Sequence, residues 1–244
     1  MVDFGSLTID SEQLVSGLKR EMKLRDLCRQ EIYSHIINLA AQDKGVTVSD
    51  DEIQTEADQF RHQMKLENAK DTIQWLDDQL ITPEEWEDGI RERLLTQKLA
   101  KYLFEREVPA YFTQNRLIYE KAILYRLVVR EAPLAQELFY QITETETSFY
   151  QAAHQHDIDE QRRFYCGYEG AVSRQTLKPD IAAEVFGSRP KEVLGPIQSE
   201  DGYDLLMVEE FLAAELTDDI HTQILNQLFK EWLDRELLYL MHKD

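Results

Sequence analysis

Apolar positions in the first hundred residues recur at the spacing of amphipathic helices. Leucines and isoleucines keep that spacing over residues 11–44, and Gly45 then ends the pattern as a glycine after a helix does. Two further helices begin with capping boxes, Ser49–Glu52 and Thr82–Glu85, in which the first hydroxyl binds the first turn and the glutamate reaches back. A shorter helix is expected between them, over residues 71–80.

The pattern changes after Pro109 and alternates strands with helices. The run AILYRLVV is dense in branched and apolar residues and predicts a strand over residues 122–129. A second strand is expected over residues 164–172, where two glycines lie between aromatic residues. Between and after these strands the spacing predicts helices over 134–142, 147–156 and 179–186. A late hairpin over residues 195–211, with its turn at Glu200-Asp201-Gly202, completes the series.

A long helix beginning near Thr217 closes the chain. Its apolar stripe runs from Ile220 to Leu238 and is wider than an isolated helix can hide from water, so it needs a partner. The simplest partner is the set of N-terminal helices. The predicted fold class is therefore α+β, with a mixed unit over 118–211 inserted between a helical region over 1–117 and a C-terminal helix over 212–244 that packs back on it.

The composition indicates that the protein has a hydrophobic core and a strongly negative surface. Hydrophobic residues make up 43% of the 244 residues, enough for a globular protein, and the formal net charge is −20. Such a surface repels phosphate backbones and anionic lipids, so we expect neither nucleic acid binding nor membrane insertion. It attracts cationic segments of a partner, although an acidic surface that serves solubility alone is the alternative.

The sequence carries no motif for a metal, a cofactor or a phosphate loop. Its two cysteines, Cys28 and Cys166, are far apart and are expected to be reduced thiols, with Cys28 packed among helical core residues. The N-terminal residues carry an acidic group at Asp3 and no apolar stretch like that of a signal peptide. We therefore expect a cytoplasmic protein without a resident cofactor.

Four segments of the inserted unit follow one another in a recognisable order: ILYRLVV, SFYQAAHQHDID, CGYEGAVSRQTLKPDIAAEVF and GPIQSEDGYDLLMV. In that order they resemble the first strand, the helix and loop, the glycine-rich strand and the final hairpin of the parvulin family of peptidyl-prolyl cis/trans isomerases. The N-terminal helices are similar to the chaperone region of SurA-like and PrsA-like bacterial parvulins. The resemblance implies a four-stranded antiparallel sheet that the late hairpin completes.

The resemblance also implies where an isomerase site would lie. The family is understood to use two inward histidines, and their positions here hold Arg126 and Asp204. If these two residues are neighbours they can form a charge-assisted pair, and the alternative is two unrelated solvent-facing charges. Asp159 falls at the family's Cys or Asp position, and Ser199 is a hydroxyl candidate in the hairpin.

Two apolar residues complete the candidate site as substrate-binding groups. Leu177 falls at the family's Met or Leu position, and Ile181 replaces the Phe that would cover a proline ring. From spacing alone, both also fit an ordinary core. With both histidines replaced, the resemblance predicts weak or absent isomerase activity, so the sequence leaves open whether the protein is an enzyme.

The expected function is that of a chaperone that binds unfolded or proline-containing polypeptide, with basic clients suited to the acidic surface. The alternative is a non-catalytic accessory protein that recognises one dedicated precursor for export or modification. The chain is expected to be a monomer or a dimer that exchanges its C-terminal helix.

Overall fold

The computed structural model describes residues 2–4 and 7–242 and divides them into two compact units. One unit comprises the described residues up to Val108 together with those from His221 onward, and the other comprises Pro109–Ile220. Each unit is described by itself below. The helical unit is therefore built from both ends of the chain, and the α+β fold class predicted from the sequence is confirmed. The finer boundaries at residues 117 and 211 stay predictions.

The order of helices and strands along the described chain follows the apolar pattern. In chain order the elements are β1 (Val2–Phe4), β2 (Leu7–Ile9), α1 (Ser11–Arg20), α2 (Leu24–Lys44), α3 (Asp50–Gln63), α4 (Ala69–Asp78), α5 (Pro83–Phe104), α6 (Val108–Gln114), β3 (Lys121–Val129), α7 (Ala132–Thr143), α8 (Phe149–His156), α9 (Glu160–Phe164), β4 (Tyr168–Ser173), α10 (Pro179–Gly187), β5 (Val193–Gln198), β6 (Tyr203–Leu212) and α11 (Asp218–Met241). Two short 3-10 turns, Arg116–Tyr119 and Arg174–Thr176, precede β3 and follow β4.

Both predicted capping boxes form in the helical unit. The Ser49 hydroxyl accepts from the Glu52 N–H at 3.3 Å, and the Thr82 hydroxyl accepts from the Glu85 N–H at 3.2 Å. Each glutamate in turn accepts from the backbone N–H of its cap residue, which satisfies a second donor that the helix leaves unpaired. Helix α3 packs on α5 through buried apolar side chains and through the Lys98 ammonium, 2.8 Å from the Glu52 carboxylate.

Besides the pair of short strands β1 and β2, which the sequence pattern did not predict, the N-terminal segment differs from its prediction in three places. The helical pattern over 11–44 is divided into α1 and α2 at Met22, whose φ of 57° is incompatible with a continuous helix. Helix α4 starts at Ala69, because the Asn68 side chain caps it by accepting from the Asp71 N–H. Cys28 is exposed and does not belong to the core, so the packing role expected for it is wrong.

Helix α11 buries the middle of its apolar stripe in the helical unit. Ile224, Leu225, Phe229 and Leu233 are buried, whereas Leu238, the predicted end of the stripe, is 55% exposed. The Tyr33 hydroxyl of α2 donates a hydrogen bond to the Asp234 carboxylate of α11, and His221 lies 3.1 Å from Glu105. The partnership of the C-terminal helix with the N-terminal helices is therefore the one that the apolar pattern predicts.

The second unit is organised around a four-stranded antiparallel sheet of order β4-β3-β6-β5. The glycine-rich strand is shorter than predicted: residues 160–164 form α9, and β4 begins only at Tyr168. The helix expected over 147–156 begins at Phe149, since the Ser148 hydroxyl caps it. Strands β3 and β6 are the two central strands, so each of them is paired with a strand on both sides.

The two faces of this sheet are covered by different helices. One face buries Leu127, Val129, Leu205 and Met207 against α7 and α8. The other face carries Leu124, Leu206 and Val208, and packs on α10. Among residues 2–4 and 7–242, no helix has the length and apolar character needed to cross a bilayer.

Close backbone contact fixes the hairpin against the central strand. Gly202 has a φ of +144°, and a Cβ built there would lie 2.3 Å from the Val129 carbonyl oxygen. Only glycine fits this position without displacing backbone, because any side chain would clash with β3 as well as strain its own φ. The contact sets the β6 register that brings Asp204 opposite Val128.

We predict that Gly202→Ala destabilises the sheet unit by about 2 kcal/mol or more, since both the strained φ and the contact with Val129 oppose a Cβ. The matched control is Gly187→Ala at the end of α10, where a Cβ meets nothing within 4 Å. The control is expected to change stability by less than about 1 kcal/mol. Urea denaturation measures both, and equal effects of the two substitutions would contradict the proposed close approach.

Candidate functional site

Strands β3 and β6 place Arg126 and Asp204 on the same face of the sheet. Asp204 lies opposite Val128 in the register, and side chains two residues apart on one strand share a face. Arg126 donates from Nε and Nη2 to the same carboxylate oxygen, Oδ2 of Asp204, at 3.2 Å and 2.9 Å. The two residues therefore form a charge-assisted pair and are not the unrelated solvent-facing charges of the alternative interpretation.

Ser199 completes this polar group. Its hydroxyl donates to Oδ1 of Asp204 at 3.0 Å, so both carboxylate oxygens have donors. Asp204 is only 4% exposed, whereas the Arg126 side chain keeps 28% of its surface in contact with solvent. The carboxylate can be buried because the guanidinium compensates its charge and two residues satisfy its oxygens. We refer to Arg126, Asp204 and Ser199 as the polar trio.

The two predicted substrate-binding residues lie on the same face as the polar trio. Leu177 and Ile181 are partly buried and pack against the cluster that contains Leu124, Leu206 and Val208. The structure therefore brings five of the six predicted site residues to one face of the sheet. It also makes Leu177 and Ile181 part of the packing between that face and α10, which is the structural role that spacing alone favours.

Asp159, the sixth predicted residue, has a different environment. Its carboxylate caps α9 by accepting from the Arg162 N–H at 2.7 Å, and this hydrogen bond lowers its pKa. Within the described part of the chain, no hydrogen bond or ion pair joins Asp159 to the polar trio. Its role as a catalytic group therefore stays a prediction from the resemblance.

Asp157, two residues earlier, is a buried carboxylate that the sequence interpretation did not single out. Its side chain is 0% exposed, and it accepts from the backbone N–H groups of Val128 at 3.1 Å and Asp159 at 2.8 Å. Arg162 adds a two-point contact, with Nε at 3.0 Å and Nη2 at 3.1 Å. Burial lowers the pKa of Arg162, but the bond and attraction to Asp157 outweigh it and raise that pKa overall.

The sequence pattern does not show that Asp157 is buried while Asp159 caps a helix. Asp157 and Asp159 flank Ile158, and either one fits a helix-capping position equally well. What separates them is the path of the chain: the Ile158 N–H donates to the Val128 carbonyl at 3.0 Å, which turns Asp157 toward β3. Only tertiary structure supplies that contact.

The polar trio limits the chemistry that the face can perform. An arginine has no acceptor and does not lose its proton in proteins, so it cannot relay one as a histidine does. The acceptor oxygens of Asp204 are already engaged with Arg126 and Ser199. Among the described residues, no group of three or more His, Cys, Asp or Glu is arranged to hold a metal ion.

Comparison with known proteins shows what the sheet unit and the helices flanking it are similar to. Residues 131–210 match the family described as Rotamase: PPIC-type PPIASE domain. The foldase protein PrsA of Halalkalibacterium halodurans is 24% identical over 237 residues, which cover 93% of this chain and 70% of that protein. A crystal structure of the peptidylprolyl isomerase PrsA from Bacillus cereus is 17% identical, covers 100% of this chain and 92% of its own, and has a TM-score of 0.53. At that identity the structural likeness shows the fold alone.

We predict that Asp157→Asn destabilises the sheet unit by about 3 kcal/mol, because the amide nitrogen faces N–H donors and Arg162 loses its compensating charge. The matched control is Asp159→Asn, in which asparagine caps α9 nearly as well as aspartate. Denaturant unfolding followed by circular dichroism measures both. A loss at position 157 no larger than at position 159 would show that the buried pair does not hold this loop.

Proposed function

We propose that this chain, which resembles the parvulin-type, PrsA-like proteins, is a foldase-chaperone that binds unfolded polypeptide and isomerises prolyl bonds weakly or not at all. The observation that carries the proposal is the polar trio. It occupies the positions where the resemblance expects two histidines, inside the unit that contains the PPIC-type match. Binding of clients and catalysis are therefore argued separately.

Weak catalysis is expected from the way in which an isomerase lowers the energy barrier to prolyl rotation. Rotation about a prolyl bond faces a barrier of ~20 kcal/mol, and a catalyst lowers it by binding the twisted amide more tightly than the planar one. Arg126 donates two of its five N–H groups to Asp204, and both carboxylate oxygens of Asp204 already have donors. The pair therefore leaves only the remaining N–H groups of Arg126 for the amide, and moving Arg126 further toward a substrate would leave Asp204 buried without its partner, which is costly.

The argument for client binding rests on the family and on charge. A foldase acts on polypeptide that has not reached its native state, and such segments expose backbone and apolar groups. The net charge of −20 adds a long-range attraction for basic segments. No feature of the described residues selects a single precursor, so the dedicated-partner alternative is not favoured. A cytoplasmic location and a helix-swapped dimer stay predictions, and the proposal depends on neither.

We predict that the native protein accelerates prolyl isomerisation of a standard peptide little above the uncatalysed rate. The variant Arg126→His/Asp204→His/Ile181→Phe should be faster, by about tenfold for each 1.4 kcal/mol of transition-state stabilisation regained. Replacing both charged partners together avoids leaving either one buried and unpaired. Exchange NMR with the native protein, the triple variant and the Ile181→Phe single variant measures the rates. Native activity as high as that of a two-histidine parvulin would contradict the assignment of Arg126 and Asp204.

We also predict that the protein suppresses aggregation of an unfolded basic client, and that this holding weakens with salt. Raising the ionic strength from about 0.01 M to about 0.15 M shortens the screening length from ~30 Å to ~8 Å and removes most long-range attraction. Light scattering of a basic and an acidic client at both ionic strengths measures the effect. If neither client is held, the chaperone proposal is wrong; if both are held equally at all salt concentrations, charge has no part in it.

A further inference from the structure

A cleft of about 550 Å³ lies where α9 meets the start of β4. Tyr168 in its wall lies opposite Tyr125 in the register and packs against that ring at 5.4 Å. Since neighbouring residues of a strand face opposite sides, Tyr168 is on the other face of the sheet from Arg126. The cleft does not include the polar trio, but it does include Asp159, the sixth predicted site residue. Its lining residues are Asp159, Gln161, Arg162, Tyr165, Tyr168 and Glu169.

The cleft presents two tyrosine rings to solvent. Tyr165 is 53% exposed and Tyr168 is 47% exposed, while Phe164 beside them is 75% exposed. Rings exposed to this extent contribute little to the core, and three of them in a five-residue stretch form an aromatic patch. The face of a tyrosine ring is electron-rich and attracts a cation placed over it.

The charges in the cleft are not balanced. Arg162 contacts the buried Asp157 through two nitrogens, and its third nitrogen, Nη1, forms an ion pair with Glu169 at 3.7 Å. One arginine therefore serves three carboxylates, the buried Asp157 and the lining residues Asp159 and Glu169, which leaves a net negative charge. The lowered pKa of Asp159 keeps that group ionised at neutral pH. The cleft therefore combines an excess of negative charge with aromatic walls, which is complementary to a cation.

The neighbouring strand favours an extended occupant. Strand β4 is at one edge of the sheet, so one side of its backbone has no partner strand among the described residues. The opposite edge strand, β5, contains Pro196, which lacks an N–H and is a poorer template for an added strand. An extended segment that pairs along β4 would pass next to the cleft and place a side chain in it.

We propose that this cleft receives the lysine or arginine side chain of an extended client segment that lies along β4. The inference rests on the proposed function, because the occupant is a client polypeptide, and it narrows the client class to segments with a basic residue. The ring of Tyr165 and the carboxylates of Asp159 and Glu169 bind the cationic end. Phe164 offers apolar contact to the neighbouring residues of the segment.

The test uses two short acetylated and amidated peptides that differ at one central residue, lysine in one and glutamine in the other. Fluorescence anisotropy of labelled peptide with the full chain measures both affinities. We expect the lysine peptide to bind more tightly. Glu169→Gln and Tyr165→Leu should each weaken its binding by about threefold, the size of one exposed charge or cation–π contact, and leave the glutamine peptide unaffected.

Two matched variants separate the cleft from the overall surface. Glu160→Gln removes the same charge from a side chain that is 93% exposed and outside the lining, and Tyr140→Leu removes a 55% exposed ring from the same unit. Both should bind the lysine peptide as the native protein does. Because all four positions are on the surface, each variant is expected to fold, and circular dichroism checks this directly.

The outcomes distinguish this inference from the proposed function. Equal affinity for the two peptides, or equal loss from Glu160→Gln and Glu169→Gln, would overturn the cleft while leaving the holding of unfolded protein intact. Failure to hold any unfolded client would instead overturn the chaperone proposal. Selective loss in the two cleft variants alone supports the assignment of the basic side chain to this site.

Discussion

The buried carboxylate of Asp157 is the contact on which the loop beside the central strand depends. Strand β3 pairs with β6 along its whole length, but its pairing with β4 ends at Tyr125. Beyond that point Asp157 takes the place of a neighbouring strand by accepting from the Val128 N–H, and Ile158 donates to the Val128 carbonyl. A buried donor without a partner would cost about 1–3 kcal/mol, so this replacement allows the sheet to end inside the protein. The same carboxylate holds Arg162 and therefore orients α9.

Two buried carboxylates therefore lie on either side of one residue of β3, Val128. Asp157 binds the Val128 backbone from the side of the loop, and Asp204 lies opposite Val128 on β6. Each is compensated by its own arginine, so neither charge depends on the other. Such pairs gain little net stability compared with apolar residues, but removing one partner is costly, which makes the arrangement specific. Each arginine keeps its proton and each carboxylate is held by several donors, so the two pairs act as fixed structural contacts.

Much of the fold follows from local patterns, and the departures have local physical causes. Capping boxes located the starts of α3 and α5 because a cap depends on residues only a few positions apart. The pair formed by Arg126 and Asp204 was open to prediction only through the resemblance, since 78 residues separate them in the chain. The division of α1 from α2 was missed because Met22 adopts a left-handed conformation that no glycine announces. The role of Asp157 was missed because burial is decided by contacts that the sequence pattern does not contain.

The two candidate surfaces of the sheet unit differ in how their charges are used. In the polar trio the charges satisfy one another, so little electrostatic attraction is left for a ligand. At the cleft, Arg162 is held by the buried Asp157 and also lies 3.7 Å from Glu169, so one cation serves the carboxylates of Asp157, Asp159 and Glu169. The buried pair that ends the sheet is therefore also the reason that the cleft is negative. Without the buried Asp157, the full charge of Arg162 would act on Asp159 and Glu169, and a cation would gain less by entering. Arg162 therefore takes part both in the buried pair with Asp157 and in setting the charge of the surface cleft.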